Sequence, residues 1–273
     1  MPSRVRPTSP SSAPGPLAGR TIVITRPAGT GSSLARKVRT LGGLPLLLPG
    51  LSLRAAPATD ALRSQWDAAQ HDDVLIFTSP AAVRYALRLA LCRTTAVVVA
   101  VGQGTARALQ RHGIEALLPE VQQNSEGVLQ LPLMQALRGR SVALITAPSG
   151  RGLLQAEIAT RGAALREVHV YGRAAPRLNR RHAEALLQLP AGACVLLSSG
   201  EAIQHLQAQL PAQAWQRLCS ACAVVSSERI GEQARAAGFK RLHQATSATQ
   251  ADLLAAAVEI CSQVRHEAGD AGC

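Results

Sequence analysis

Ile24-Thr25-Arg26-Pro27-Ala28-Gly29 returns later in the chain as Ile145-Thr146-Ala147-Pro148-Ser149-Gly150, and each copy leads into a stretch of helical period closed by a glycine, Gly42 or Gly162. An apolar run that ends in a small polar turn and then opens a helix is the pattern of a strand on a parallel sheet covered by helices. The echo continues outward from this turn. Leu75-Ile76-Phe77-Thr78-Ser79-Pro80-Ala81-Ala82-Val83 is matched by Val195-Leu196-Leu197-Ser198-Ser199-Gly200-Glu201-Ala202-Ile203, a strand ending in two hydroxyl residues. Val99 to Ala108 is matched by Val224 to Ile230, and each copy reaches a helix-ending glycine, Gly113 or Gly238. Ser125-Glu126-Gly127-Val128-Leu129 pairs with Thr249-Gln250-Ala251-Asp252-Leu253. With these segments labelled A, B, C and D, the chain reads A-B-C-D twice.

The duplication predicts two α/β domains of one fold, each an open, doubly wound parallel sheet. Predicted strands are Thr21–Thr25, Val74–Phe77, Ala96–Val101, Ser141–Thr146, Cys194–Leu197 and Ala223–Val225. After each repeat A comes an extended segment, Leu44 to Leu53 and Leu165 to Arg173, with Pro45, Pro49, Gly50 and Gly172 marking bends. These segments are candidate crossings between domains, in which case the first repeat A completes the domain built by the second B, C and D. A simple tandem arrangement is the alternative.

Composition bounds the function. The 273 residues are 47% hydrophobic and 17% charged, enough apolar surface to offset chain entropy without a metal or disulfide staple. Lys+Arg number 29 against 17 Asp+Glu, a formal charge of +12, and Lys37 and Lys240 are the only lysines. The positive charge is therefore almost wholly guanidinium, which grips carboxylate or phosphate bidentately, although a codon bias toward arginine explains the count equally well. Nucleic acid is not the expected partner. Its stacking platforms need more than Trp66, Phe77, Tyr85, Tyr171, Trp215 and Phe239, and the arginines are scattered. Residues 1–19 are Pro/Ser/Gly-rich without an apolar run and read as a disordered leader rather than a signal peptide; residues 263–273 read as a flexible tail. The most apolar stretch, Ala86 to Val101, is interrupted by Arg88 and Arg93, so no membrane span is expected and the chain is placed in the cytoplasm. Its six cysteines are irregularly spaced, as in a reducing compartment, and no strongly apolar surface pattern speaks against a monomer.

The strand-to-helix turns carry the functional signal. Each leaves backbone N–H groups unpaired at a helix start, beside hydroxyls, where the peptide dipoles favour an anion. Thr78-Ser79, Ser198-Ser199, Ser226-Ser227, Gly102 to Thr105, Ser125 and Gly150 fall at such positions. In parallel sheets these turns share one edge, so anion sites are expected to converge along a cleft between two facing domains. The competing reading is that each Ser or Thr merely caps its own helix. Gly102-Gln103-Gly104 starts like a dinucleotide fingerprint, but Arg107 stands where the third glycine belongs. P-loop, nucleophile-elbow and zinc motifs are missing, the histidines are dispersed, with His182 and His205 assigned to helix surfaces, and Cys219-Ser220-Ala221-Cys222 reads as structural. Tyr171, in Val168-His169-Val170-Tyr171-Gly172-Arg173, offers a phenol able to donate to a departing oxygen at the interdomain opening, or else a packed ring.

From about Gly19 to Ile260 the order and spacing of these segments resemble the uroporphyrinogen-III synthase family. The carriers are Thr25-Arg26-Pro27, Phe77 to Val83, Ala100-Val101-Gly102 with Thr105-Ala106, Ser125-Glu126-Gly127, Arg161-Gly162-Ala163 leading to Val170-Tyr171, Leu197 to Ala202, and Val225 to Ile230. The resemblance implies two flavodoxin-like α/β doubly wound parallel-sheet domains joined by a two-stranded linker. Residues 20–45 with 175–262 then form a discontinuous domain, 52–168 an inserted one, and 46–51 and 169–174 the linker strands. It implies as substrate hydroxymethylbilane, a linear tetrapyrrole with eight carboxylates, closed to uroporphyrinogen III with inversion of ring D by a carbon–oxygen lyase that uses no metal or cofactor. Hydroxymethylbilane synthase is the implied upstream partner. Hydroxide leaves, an azafulvene forms, and a spiro intermediate fragments and recloses, so catalysis is mostly positioning. Tyr171 matches the family's tyrosine proposed to assist that departure. Thr25, Arg26, Thr78, Ser79, Pro80, Ala81, Gly102, Thr105, Ser125, Gly150, Arg151, Ser198, Ser199, Ser226 and Ser227 are implied as carboxylate holders. Ala147 departs from the arginine that many relatives carry there, with Arg151 near enough in sequence to replace its charge. The alternatives are a non-catalytic two-domain binding protein that closes on an anionic small molecule and, third, nucleic-acid binding through the arginines.

Overall fold

A computed structural model describes residues 15–148 and 152–270, with side chains through 262. The chain begins with β1 (Thr21–Ile24), α1 (Ser32–Thr40), β2 (Leu44–Leu47) and β3 (Ser52–Ala55). Next come α2 (Asp60–Ala69), β4 (Val74–Phe77), α3 (Pro80–Leu89), β5 (Val97–Ala100) and α4 (Gln103–Gln110). Two short helices, α5 (Ser125–Gln130) and α6 (Pro132–Gln135), precede β6 (Ser141–Thr146), α7 (Leu153–Thr160), β7 (Ala164–His169) and β8 (Tyr171–Ala174). The remainder is α8 (Arg180–Leu187), β9 (Cys194–Leu197), α9 (Gly200–Gln209), α10 (Ala212–Cys219), β10 (Cys222–Val225), α11 (Glu228–Ala236), β11 (Arg241–Gln244) and α12 (Gln250–Asp270).

The described chain divides into two compact units, one of residues up to Ser52 together with those from Ala175 onward, the other Leu53–Ala174. The discontinuous unit holds a five-stranded sheet in the order β11-β10-β9-β1-β2, and the inserted unit a four-stranded sheet in the order β5-β4-β6-β7. Every pair in both is parallel. The repeats are exchanged between the sheets. Repeat A of the first half, β1-α1-β2, lies beside β9 with Ile22 opposite Cys194, while repeat A of the second half, β6-α7-β7, lies beside β4 with Val74 opposite Val142.

Burial on both faces explains the unbroken apolar runs of the inner strands. Leu75 and Phe77 of β4 pack with Trp66, Ala143 and Ile145 on one face, and Val74 and Ile76 with Val128, Val142 and Leu144 on the other. In the discontinuous unit Val23, Val195 and Leu197 join one core, and Ile22, Ile24 and Leu196 the other, which α12 covers with Leu253, Leu254, Ala257 and Cys261. Because the strands run parallel, the turns that leave β1, β9 and β10 share one sheet edge, as do those that leave β4, β5 and β6.

The structure moves several boundaries. Leu44–Leu47 pairs along all of β1, so residues 46 and 47 belong to a sheet and not to a linker. The two-stranded sheet is instead β3 with β8, and His169 closes β7. The packed chain also starts ahead of Gly19: Leu17 is fully buried and its N–H donates to the Leu41 oxygen at 2.9 Å. Residues 1–14 lie outside the described residues. At the other end α12 continues to Asp270, where a flexible tail from 263 was expected, and residues 271–273 lie outside the description.

Candidate active site

In the inserted unit the turn after β4 is held by its neighbour. Thr78 donates its N–H to the Ile145 oxygen at 3.2 Å and its hydroxyl to the same oxygen at 3.1 Å, and its Oγ1 lies 3.1 Å from Thr146 Oγ1. Ser79 then caps α3: its backbone is extended, its Oγ accepts from the Ala82 N–H at 3.1 Å, and Pro80 follows as the first helical residue, where a missing N–H costs nothing. On β8, Tyr171 brings its phenolic oxygen to 3.0 Å from Ser79 Oγ. The Tyr171 ring is buried against Tyr85, with centroids 5.7 Å apart and planes inclined by 20°.

Thr78, Ser79, Ser125, Thr146, Ala147, Gln155, Tyr171 and Arg173 line one recess of about 210 Å³, whose floor includes Leu144 and Leu154. That volume is below the roughly 300 Å³ at which pockets for drug-sized ligands begin, so it has room for only part of a large molecule. Its polar lining consists of hydroxyls, an amide, a phenol and a guanidinium. Among the described residues no carboxylate lines it, so nothing there repels an anion. The capping at Ser125 differs from expectation. Asn124 is the N-cap of α5, its Oδ1 accepting from the Gly127 N–H at 2.9 Å, and Ser125 is the first helical residue.

Other predicted residues fall elsewhere on these edges. Pro80 is exposed and Ala81 buried on the first turn of α3. Gly102 caps α4, but the Gln103 N–H next to it is already taken by Gln123 Oε1 at 2.9 Å, and Thr105 is only 3% exposed. Gly150 and Arg151 lie outside the described residues. In the discontinuous unit Thr25 is buried and donates its hydroxyl to the Leu196 oxygen at 2.6 Å, which ties β1 to β9. Arg26 beside it is different. Among the described residues its Nε is buried without a hydrogen-bond partner, and desolvation pulls the guanidinium pKa below its ordinary value, so an arriving carboxylate would find an unsatisfied donor. Ser199 caps α9, accepting from the Ala202 N–H at 3.4 Å, whereas Ser227 heads α11 without a side-chain cap bond. Ser198 and Ser226 are half-buried at the ends of β9 and β10.

Three lining residues with polar side chains were not singled out from sequence. Arg173 had a signal, since it follows Tyr171 by two on a strand and so shares its face. Thr146 had one too, as the counterpart of Thr25 in the doubled turn. Gln155 had none. A contact of 3.8 Å with Cys261, together with burial, pushes the Cys194 thiol up, and burial raises Cys92 and Cys219 to about 11, so all three are neutral at physiological pH. Among the described residues no group of three or more His, Cys, Asp or Glu is placed to hold a metal ion, and no helix is long and apolar enough to cross a membrane.

Fold and recess together define a class: a paired α/β protein whose strand-to-helix turns present hydroxyls and backbone donors along parallel-sheet edges. The family model described as uroporphyrinogen-III synthase HemD matches residues 32–255. The chain belongs to the uroporphyrinogen-III synthase family. It is 28% identical over 244 residues to the uroporphyrinogen-III synthase of Escherichia coli (strain K12), covering 86% of this chain and 98% of the relative. Two solved structures share the fold. The uroporphyrinogen-III synthetase of Helicobacter pylori 26695 superposes with a TM-score of 0.55 at 16% identity, over 91% of this chain and 99% of the other. A mutant uroporphyrinogen III synthase from Thermus thermophilus gives 0.53 at 20% identity, over 90% and 100%. Family, relative and neighbours agree on one activity, uroporphyrinogen-III synthase, in tetrapyrrole synthesis.

Proposed function

We propose that this family member works as a carbon–oxygen lyase on hydroxymethylbilane, and that the recess beside Tyr171 receives the end of the substrate that loses hydroxide. The observation that carries this reading is the Tyr171 phenol. Its ring is buried, and its oxygen sits at the Ser79 N-cap of α3 on the rim of a recess with no lining carboxylate. As the C–O bond of the hydroxymethyl group breaks, the oxygen leaves with the electron pair and the phenol donates to it. The resulting azafulvene is attacked by the substituted carbon of the last pyrrole, and the spiro intermediate opens and recloses with ring D inverted and net loss of one water. The pyrroles supply the electrons, so the protein's share is orientation and stabilisation of charge. The Ser79 hydroxyl and the positive end of α3 support the oxygen that gives up its proton.

The carboxylates are held by the remaining donors. Thr78, Thr146, Ser125 and Arg173 serve in the recess, and Arg26, Ser198, Ser226 and Ser227 on the turns of the discontinuous unit. The protein acts as a monomer in the cytoplasm on hydroxymethylbilane delivered by hydroxymethylbilane synthase. The deciding assay is the isomer ratio of product made from hydroxymethylbilane. Type III ring is expected, while exclusive type I ring, or retention of the bilane without conversion, would defeat the reading. Tyr171→Phe is expected to lower kcat by roughly 10²-fold with KM little changed, the usual scale for losing a positioned proton donor.

A further inference from the structure

Tyr85 does not line the recess, yet it touches the residue on which the proposed chemistry turns. Its ring stacks on Tyr171 at 5.7 Å with planes 20° apart. Its own hydroxyl donates to the Leu53 oxygen at 2.7 Å, and Leu53 lies on β3, the strand paired with the β8 strand that carries Tyr171. The guanidinium carbons of Arg84 and Arg88 stand 5.7 and 5.6 Å from the Tyr85 ring centroid, and the ring is 7% exposed. Tyr85 is thus fixed by its oxygen and by both arginines, and one flat face is left to Tyr171.

That flat face controls something the Ser79 contact does not. Helix α3 grips Tyr171 twice, at the oxygen through Ser79 and at the ring through Tyr85. The oxygen contact leaves the ring free to turn about the axis through Cβ and the phenolic oxygen, because χ2 of tyrosine has only a broad, two-fold preference of its own. Conjugation keeps a phenolic O–H in the plane of its ring, so whatever fixes the plane fixes the directions in which the proton can be given. Stacked aromatic rings hold such a relation with about 0.5–1.5 kcal/mol beyond their burial.

We propose that Tyr85 is a positioning residue for the reaction, setting by its stack on Tyr171 the plane in which the phenolic O–H is presented to the recess. The proposal rests on the reading of Tyr171 as the group that assists hydroxide departure. The test measures kcat and KM for formation of the type III ring in Tyr85→Leu, Tyr85→Phe, Tyr171→Phe and the double variant Tyr85→Leu/Tyr171→Phe. Tyr85→Leu is expected to lower kcat about tenfold, the scale of a small misplacement near reacting atoms, with KM within about twofold. Tyr85→Phe keeps the flat face and is expected to stay within about threefold of the parent. In the Tyr171→Phe background the leucine change is expected to do nothing further, since a residue that acts through another loses its effect when the other is gone. Equal losses in both backgrounds, or an unchanged kcat in Tyr85→Leu, overturn the proposal. A parental kcat in Tyr171→Phe itself removes the Tyr171 reading instead, a separate outcome. If circular dichroism shows Tyr85→Leu unfolded, Tyr85→Met, which fills similar volume without a planar face, takes its place in both backgrounds.

Discussion

Arg26 and Thr25 are neighbours in sequence and opposites in bonding. The Thr25 hydroxyl is committed to the Leu196 oxygen, while the Arg26 Nε is buried with no partner. A buried guanidinium nitrogen without a partner is a cost to the free protein and a ready contact for a carboxylate. Arg26→Gln is therefore expected to raise KM about tenfold or more with kcat little altered, the consequence of losing a charge-assisted hydrogen bond. The same change should leave the melting temperature of the substrate-free protein unchanged or higher, as steady-state kinetics and calorimetry can check together. At this scale the sequence was half legible. The doubled turn marked both residues, but that one hydroxyl would be spent on a strand 171 positions away is a property of the pairing and is written in no local pattern. The burial of Thr105 was illegible for the same reason, being decided by packing rather than by its place after Gly102.

Among the helices, equivalent serines differ in capping. Ser199 caps α9, and Ser227 heads α11 without doing so. Ser199→Ala is expected to lower stability by about 0.5–1 kcal/mol, at the lower end for caps because the contact is long. Ser227→Ala is expected to leave stability unchanged and to act on KM, as paired denaturation and kinetic measurements will show. A harsher case is Gly127 in α5, where a Cβ would run into the backbone oxygen of Gln122, which has no flexible end to move aside. Gly127→Ala should destabilise the inserted unit by roughly 2 kcal/mol or more, read as a lowered denaturation midpoint. Ahead of β4, Asp73 accepts the Ser141 N–H at 2.8 Å and the Ser141 hydroxyl at 2.9 Å, and these bonds hold its carboxyl below the ordinary aspartate pKa. A depressed folded-state pKa gives stability that is present above the unfolded value, about 4, and lost as pH falls through the folded one. Asp73→Asn should thus be less stable than the parent at pH 7, with the gap narrowing as pH falls below about 4 in urea titrations. Strand legibility followed position in the sheets. The runs in β1, β4, β6, β9 and β10 were readable because both faces are buried. Leu44–Leu47, Ala164–His169 and Arg241–Gln244 were not, because each is an edge strand, where Pro45, Arg166, Glu167 or Arg241 is tolerated and blunts further pairing. β5, also at an edge, kept its valines because Leu117 pairs with Val98 and Ala100 along its outer side.

For the molecule as a whole, the charge of +12 sits on a chain whose proposed substrate carries eight carboxylates. Attraction of this kind is long-ranged and screened, with a Debye length falling from about 10 Å at 0.1 M salt to about 3 Å at 1 M. Added sodium chloride is expected to raise KM progressively and leave kcat nearly constant, and a salt-independent KM would show that the arginines serve another purpose. The order of repeats was legible from the first doubled turn. Which sheet each repeat joins was not, because exchanged and tandem arrangements bury the same residues in the same local surroundings.

That exchange shapes how the protein is made. The Thr25 hydroxyl must wait for Leu196, 171 residues later, and at ribosomal speeds of about 5–20 residues per second the delay is roughly ten to thirty seconds. During that interval the inserted unit can emerge and close, while β1 has only α1 and β2 beside it: Ile22 and Ile24 can reach Leu34 and Val38, but Val23 waits for Val195, Leu197 and the rest of its core. The first strand synthesised thus meets its second sheet neighbour, β9, only late, and it is the stretch a chaperone would meet first.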